Sequence, residues 1–145
     1  MDILSNFSEN LTELIFDKKI TVEQVSKDTG ITLSEVYTYL RRRYLPKLSN
    51  IIKIADCYNY SIDFLLGFIQ IQPKINYKKT PLFSQTFKAL LAERKVTRYR
   101  LNKDTKISIN CLDSWYNGKS IPSVENAVIL ARYFDCSLDE LLGRE

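Results

Sequence analysis

The stretch SWYNGKSIPS, residues 114–123, decides the fold, because two local structures compete for it. Asn117-Gly118 is a strong signal for the two-residue turn of a β-hairpin. The flanks argue against that reading. Upstream, Ile109, Leu112 and Trp115 recur every three residues, a helical spacing and not an alternation. Downstream, Pro122 would interrupt a returning strand. Asn117-Gly118 is therefore expected to be the exit of a helix, with the glycine left-handed at the C-terminal cap.

The same stretch belongs to an internal repeat. Shifting the chain by 76 residues lays KITVEQVSKDTGITLSEVYTYLRRRYLP (19–46) over KVTRYRLNKDTKISINCLDSWYNGKSIP (95–122) without a gap. It also lays NIIKIADCYNYSIDFLLG (50–67) over NAVILARYFDCSLDELLG (126–143). Shared positions include Lys27-Asp28-Thr29 with Lys103-Asp104-Thr105, Pro46 with Pro122, and Leu65-Leu66-Gly67 with Leu141-Leu142-Gly143. The chain is a duplication.

Each copy is expected to form five short helices. Phe7, Leu11, Leu14 and Ile15 define the apolar face of the first helix, echoed by Phe83, Phe87, Leu90 and Leu91. Thr21 and Thr32 open helices two and three, with Gln24 and Glu35 placed for reciprocal capping boxes. Thr97 and Ser108 are N-caps lacking the return partner. Leu48, Ile51, Ile52 and Ala55 mark helix four, matched by Val124, Val128 and Ala131, and Ser61 and Ser137 open helix five. Only DTG or DTK separates helix two from helix three, a turn short enough to fix a steep angle between them.

This arrangement resembles the lambda-repressor/Cro-like (XRE) helix-turn-helix family. The resemblance covers both copies and is closest in WYNGKSIPSVENAVILARYFDCSLDELLG; the first copy departs from it with Arg42 at a position that favours glycine. It implies an all-α chain of two tandem five-helix domains, 1–67 and 82–145, joined by a linker at 68–81. It also implies that helix three of each domain enters the major groove of double-stranded DNA. Ile31, Val36 and Tyr39, with Ile107, Leu112 and Trp115, should then face the core. The resemblance places base contacts at Leu33, Ser34 and Thr38 in the first copy and at Ile109, Asn110 and Ser114 in the second. Asn110 can bond adenine through both ends of its amide, and Leu33 or Ile109 can pack on a thymine methyl. It places phosphate contacts at Arg98, Asn117, Gly118 and Lys119, with Arg41, Arg42 and Arg43 as the first copy's offering. The alternatives are a solvated face for these helices and a solvated surface for the arginine run. A left-handed Arg42 would cost on the order of 1 kcal/mol, and Val22 stands where the second copy has Arg98.

Composition narrows the function. The 145 residues are 45% hydrophobic and 26% charged, as in ordinary globular proteins. There is no histidine, which removes the commonest general base and metal ligand, and no phosphate loop, nucleophile elbow or paired-carboxylate motif. No catalytic residue, metal or cofactor is implied. Cys57, Cys111 and Cys136 lack CxxC spacing and are expected to be reduced and half-buried. The start MDILSNFSEN shows no secretory signal, and no apolar run approaches a membrane span, so a cytoplasmic protein is expected. Through residue 72 there are eight Lys/Arg against nine Asp/Glu; from residue 73 there are thirteen against eight. The basic half is the better match to a polyanion.

The leading expectation is a sequence-specific transcription regulator, a repressor by preference, using one or both repeats. The alternatives are a second repeat that binds DNA beside a first that serves dimerisation or protein interaction, and a helical adaptor of antitoxin or antirepressor type that binds no DNA. Two small domains leave no room for a sensor, so control is expected through concentration, a partner or competition for operators. Phe68, Ile69 and Ile71 are too apolar for a free tether and are expected to pack between domains or on a second chain. Fourteen linker residues, at about 3.3–3.6 Å each, can span the roughly 34 Å between successive major grooves. A monomeric pseudo-dimer on an asymmetric operator is therefore open beside a homodimer on a palindrome.

Overall fold

The computed structural model describes residues 2–145, and among them there are ten α-helices and no strand. One compact unit ends at Tyr77 and the second begins at Lys78. The first contains α1 (Ile3–Lys18), α2 (Val22–Thr29), α3 (Leu33–Leu40), α4 (Leu48–Tyr58) and α5 (Ile62–Leu65). The second contains α6 (Phe83–Arg94), α7 (Arg98–Thr105), α8 (Ile109–Tyr116), α9 (Val124–Tyr133) and α10 (Leu138–Leu141). From α2 to α5, each helix starts 76 residues before its counterpart. The first helices end in step but do not start so. Asp2 caps α1 by accepting from Ser5 N–H at 2.7 Å, whereas Pro81 disfavours a helical Thr80 and the extra turn does not form.

The exits of the helices are kept more strictly than the residues that make them. All five leave through a left-handed residue in both units: Lys19 and Lys95, Gly30 and Lys106, Arg42 and Gly118, Asn59 and Asp135, Gly67 and Gly143. Gly118 completes the paired bonds of a Schellman cap, in which its N–H donates to Trp115 O at 3.2 Å and Lys119 N–H donates to Ser114 O at 2.9 Å. Arg42 reproduces that cap at φ 57°, with Arg43 N–H reaching Thr38 O at 3.3 Å. Surroundings decide where glycine is needed. A Cβ at Gly67 would run into the Asn6 side chain, and one at Gly143 would lie 2.8 Å from Pro81. A Cβ at Gly118 would meet only Ser84 at 3.4 Å, an ordinary contact, so a larger residue fits there at the cost of strain alone.

The turn between the second and third helices is held identically in both units, which explains the shared Asp-Thr. Thr29 Oγ donates to Val25 O at 2.7 Å and accepts from Ile31 N–H at 3.2 Å. Thr105 does the same with Leu101 O and Ile107 N–H. Asp28 accepts from the Tyr58 hydroxyl at 2.9 Å, and Asp104 accepts from Tyr133 at 2.7 Å, so each ties the second helix to the fourth. The two tyrosines occupy neighbouring register positions, yet they make the same tie. Burial, then the bond to Asp28, pushes the Tyr58 phenol up, and the Tyr133 hydrogen bond, aided by Arg100, holds Asp104 below the usual carboxylate value.

The predicted core faces are observed. Ile31, Val36, Tyr39, Ile107, Leu112 and Trp115 are all buried. Trp115 plugs the second core, edge-on to Phe83 and Phe87 at centroid distances of 6.4 and 6.1 Å. Tyr39 fills the same position in the first, where Asn50 Nδ2 donates to its hydroxyl at 2.7 Å. Three expectations need correction. Neither capping box closes on the backbone: the Gln24 amide donates to Asp28 at 2.6 Å, and the Glu35 carboxylate accepts from the Thr32 hydroxyl at 3.1 Å and not from its N–H, so both caps are one-way. Cys57 is exposed and not half-buried, since its register on α4 points away from the core that Ile54 fills. Ile54 and Leu130, both buried, belong to the core face of the fourth helices and escaped the pattern.

The segment between the repeats is divided between the units. Asn59 accepts from Tyr77 N–H at 2.9 Å and donates to Ile75 O at 3.0 Å, while Lys78 N–H donates to Arg144 O at 2.7 Å. Phe68, Ile69 and Ile71 are exposed. Arg144 is itself buried in an ion pair with Asp139.

In urea unfolding of the full chain, Gly118→Ala should lose about 1 kcal/mol or more through left-handed strain. Arg42→Gly should gain several tenths, because relief of strain exceeds the loss of an exposed ion pair to Glu9, roughly 0–1 kcal/mol. Asp104, with its depressed pKa, contributes stability above the unfolded carboxylate value that is lost as pH falls through the folded one. Asp104→Asn should therefore destabilise at neutral pH and flatten the acid limb of the stability curve; an unchanged acid limb would contradict the tie.

Candidate nucleic-acid interface

The two third helices present their candidate residues differently. On α8, Ile109 and Asn110 occupy the exposed first turn, and among the described residues the Asn110 amide has no hydrogen-bond partner. Ser114, one turn on, shares a hydrogen bond with Ser120 Oγ at 2.7 Å. On α3, Leu33 and Ser34 are exposed, but Thr38 turns its hydroxyl back onto Ser34 O at 2.9 Å. Leu33, Ser34, Ile109 and Asn110 are thus open to a ligand, and the hydroxyls of Thr38 and Ser114 are engaged within the chain.

The charged residues around these helices also differ. Arg98 is the first residue of α7, where the unpaired backbone N–H groups create a positive end. Its guanidinium lies 3.9 Å from the Tyr116 ring centre, and its Nη1 bonds Asp113 Oδ1 at 2.9 Å. Lys88 Nζ stands 4.9 Å from the same ring. Beside them runs an open groove of about 480 Å³ lined by Lys88, Leu91, Lys95, Thr97, Arg98 and Tyr116. Immediately after Tyr116, Asn117, Gly118 and Lys119 form the exposed Schellman exit of α8. Within one helix-turn-helix, an exposed amide at the start of α8 is therefore accompanied by two cations toward the helix's end, one at the start of α7 and one at the Gly118 exit.

In the first unit the counterpart of Arg98 is Val22, and the neighbouring Glu23 accepts from Tyr37 hydroxyl at 3.3 Å. Arg41 covers the Tyr37 ring at 5.3 Å, Arg42 is bridged to Glu9 at 3.2 Å, and Arg43 is exposed. A carboxylate here stands near where the second unit has a guanidinium. Sequence reasoning missed the roles of Asp113 and Tyr116. The signal was present in the repeat itself, since Val22, Tyr37 and Leu40 are replaced together by Arg98, Asp113 and Tyr116.

Among the described residues no cluster of His, Cys, Asp or Glu is placed to hold a metal, and no helix is long and apolar enough to cross a membrane. Comparison with known proteins gives no match among curated proteins or solved structures. Two family profiles do match. Residues 86–145 match the Cro/C1-type HTH DNA-binding domain, and residues 15–65 match a helix-turn-helix family. Each match spans the α2–α3 or α7–α8 pair and its Thr-held turn. The chain thus carries two Cro/C1-type helix-turn-helix domains in tandem, which make it a DNA-binding transcription regulator.

Proposed function

We propose that the protein is a sequence-specific repressor in which α8 of the second domain is the principal reader of the major groove and α3 of the first reads a second, different half-site with a weaker electrostatic hold. The observation that carries this reading is the unpartnered Asn110 amide on the exposed start of α8, in the same helix-turn-helix as Arg98 and the Gly118-Lys119 exit. Asn110 supplies both a donor and an acceptor for an adenine edge, and Ile109 beside it offers an apolar surface for a thymine methyl. Arg98 and Lys119 meet phosphates and fix the register without reading sequence. Occupying an operator this way blocks other proteins from the same groove, which is the simplest route to repression.

The differing exposed sets, Leu33-Ser34 against Ile109-Asn110, favour an asymmetric operator served by one chain. A second reading assigns DNA to the second domain alone and leaves the first to a protein contact or to dimerisation. Glu23 and Val22 near the start of α2 favour that reading, because a carboxylate there repels phosphate.

Selection of bound duplexes from a random pool discriminates among these. The proposal expects an asymmetric site whose recovery changes when Ser34 is replaced; a palindrome bound by two chains and indifferent to Ser34 would establish the second reading. On the selected duplex, Asn110→Ala should weaken binding by roughly 1–3 kcal/mol and relax one base position. Lys119→Ala should weaken selected and random duplexes alike and reduce the salt slope by about one. Equal losses for both variants on both kinds of DNA would remove Asn110 from base reading.

A further inference from the structure

The carboxylate of Asp113 lies on the same exposed stretch of α8 as the candidate base readers, with close to half of its side-chain surface open. A lone carboxylate on a helix entering a polyanion's groove opposes binding. Here it is not alone: Arg98 bonds it at 2.9 Å, and Tyr116, one turn along α8, supports the guanidinium from below at 3.9 Å. The guanidinium is planar and has five donors, so it can bond a carboxylate, lie on a ring and keep N–H groups for a further acceptor. The first domain has none of the three residues. The set is present or absent as a unit, as expected if its members act together.

We infer that Asp113 and Tyr116 are positioning residues that hold the Arg98 guanidinium toward a DNA phosphate, and that Arg98 in turn cancels the repulsion that Asp113 would exert on the same backbone. The inference rests on the second domain's being a DNA reader. Arg98 then acts twice, once as a phosphate contact and once as the counter-ion of its own positioning residue. Tyr116 contributes direction, because stacking restricts a long side chain that would otherwise sample many rotamers. Losing Arg98 is therefore worse than losing an ordinary phosphate contact, and removing Asp113 as well should recover part of the loss.

A double-mutant cycle on the full chain tests this, with Arg98→Ala, Asp113→Asn and the pair measured against the selected duplex over a range of salt concentrations. Asp113→Asn alone is expected to change affinity by no more than about threefold, because repulsion removed and orientation lost offset one another. In the Arg98→Ala background the same change is expected to restore affinity by about tenfold, with the gain shrinking as salt rises. Tyr116→Leu, the residue found at position 40, should weaken binding by about two- to tenfold with an unchanged salt slope, since no charge is lost. Far-ultraviolet circular dichroism and urea unfolding of each variant separate these effects from misfolding. An identical effect of Asp113→Asn in both backgrounds overturns the coupling while leaving the DNA-binding function intact. Failure of the unaltered chain to select any duplex removes the function and this inference with it.

Discussion

Every helix after the first in each domain is too short to persist in water alone, and the fold depends on how those helices are stopped. An eight-residue helix makes few internal hydrogen bonds and leaves unpaired groups at both ends. Each unit solves this five times over by turning the chain left-handed at the exit and folding the next N–H groups back onto the last carbonyls. The direction of each following helix is set there. Because the exits recur at 76-residue intervals while three of the five change residue, Gly30 to Lys106, Arg42 to Gly118 and Asn59 to Asp135, the backbone path is the invariant of the duplication. Side-chain identity is free wherever a Cβ meets nothing hard.

That freedom ends where the chain is crowded. Gly67 and Gly143 are glycine in both copies because Asn6 and Pro81 stand in the way of any side chain. Position 42/118 is uncrowded and has diverged, at the cost of a strained arginine in the first domain. The Thr-held turn between the second and third helices has not diverged, since one hydroxyl there satisfies two backbone groups at once. The angle that presents the third helix is therefore the same in kind in both domains, and what differs between them is the charges mounted around it.

The fold was legible in the sequence because its determinants are local and repeated. Three-residue apolar spacing, Ser or Thr at helix starts and a 76-residue echo each constrain the backbone directly, and the β-hairpin suggested by Asn117-Gly118 was excluded by that spacing and by Pro122. Gln24 was misassigned because capping-box spacing gives two outlets to one amide, and Asp28, one turn along the same helix, took it. Ile54 and Leu130 escaped because the short fourth helix buries a broader face than a narrow stripe predicts. The candidate residues could be named from the sequence one by one, but not the contacts among them. Arg98 and Asp113 are fifteen residues apart on different helices, and only the angle fixed at Thr105 brings them within 2.9 Å.

The central claim is that DNA is met chiefly by α8, the start of α7 and the exit at Gly118. Titrating the isotope-labelled full chain with its selected duplex and following backbone amide shifts by NMR tests it most directly. The account predicts the largest shifts at Ile109, Asn110, Arg98, Gly118 and Lys119, with smaller shifts at Leu33 and Ser34. Dominant shifts on α9 and α10, or on α3 with α8 unmoved, would contradict it.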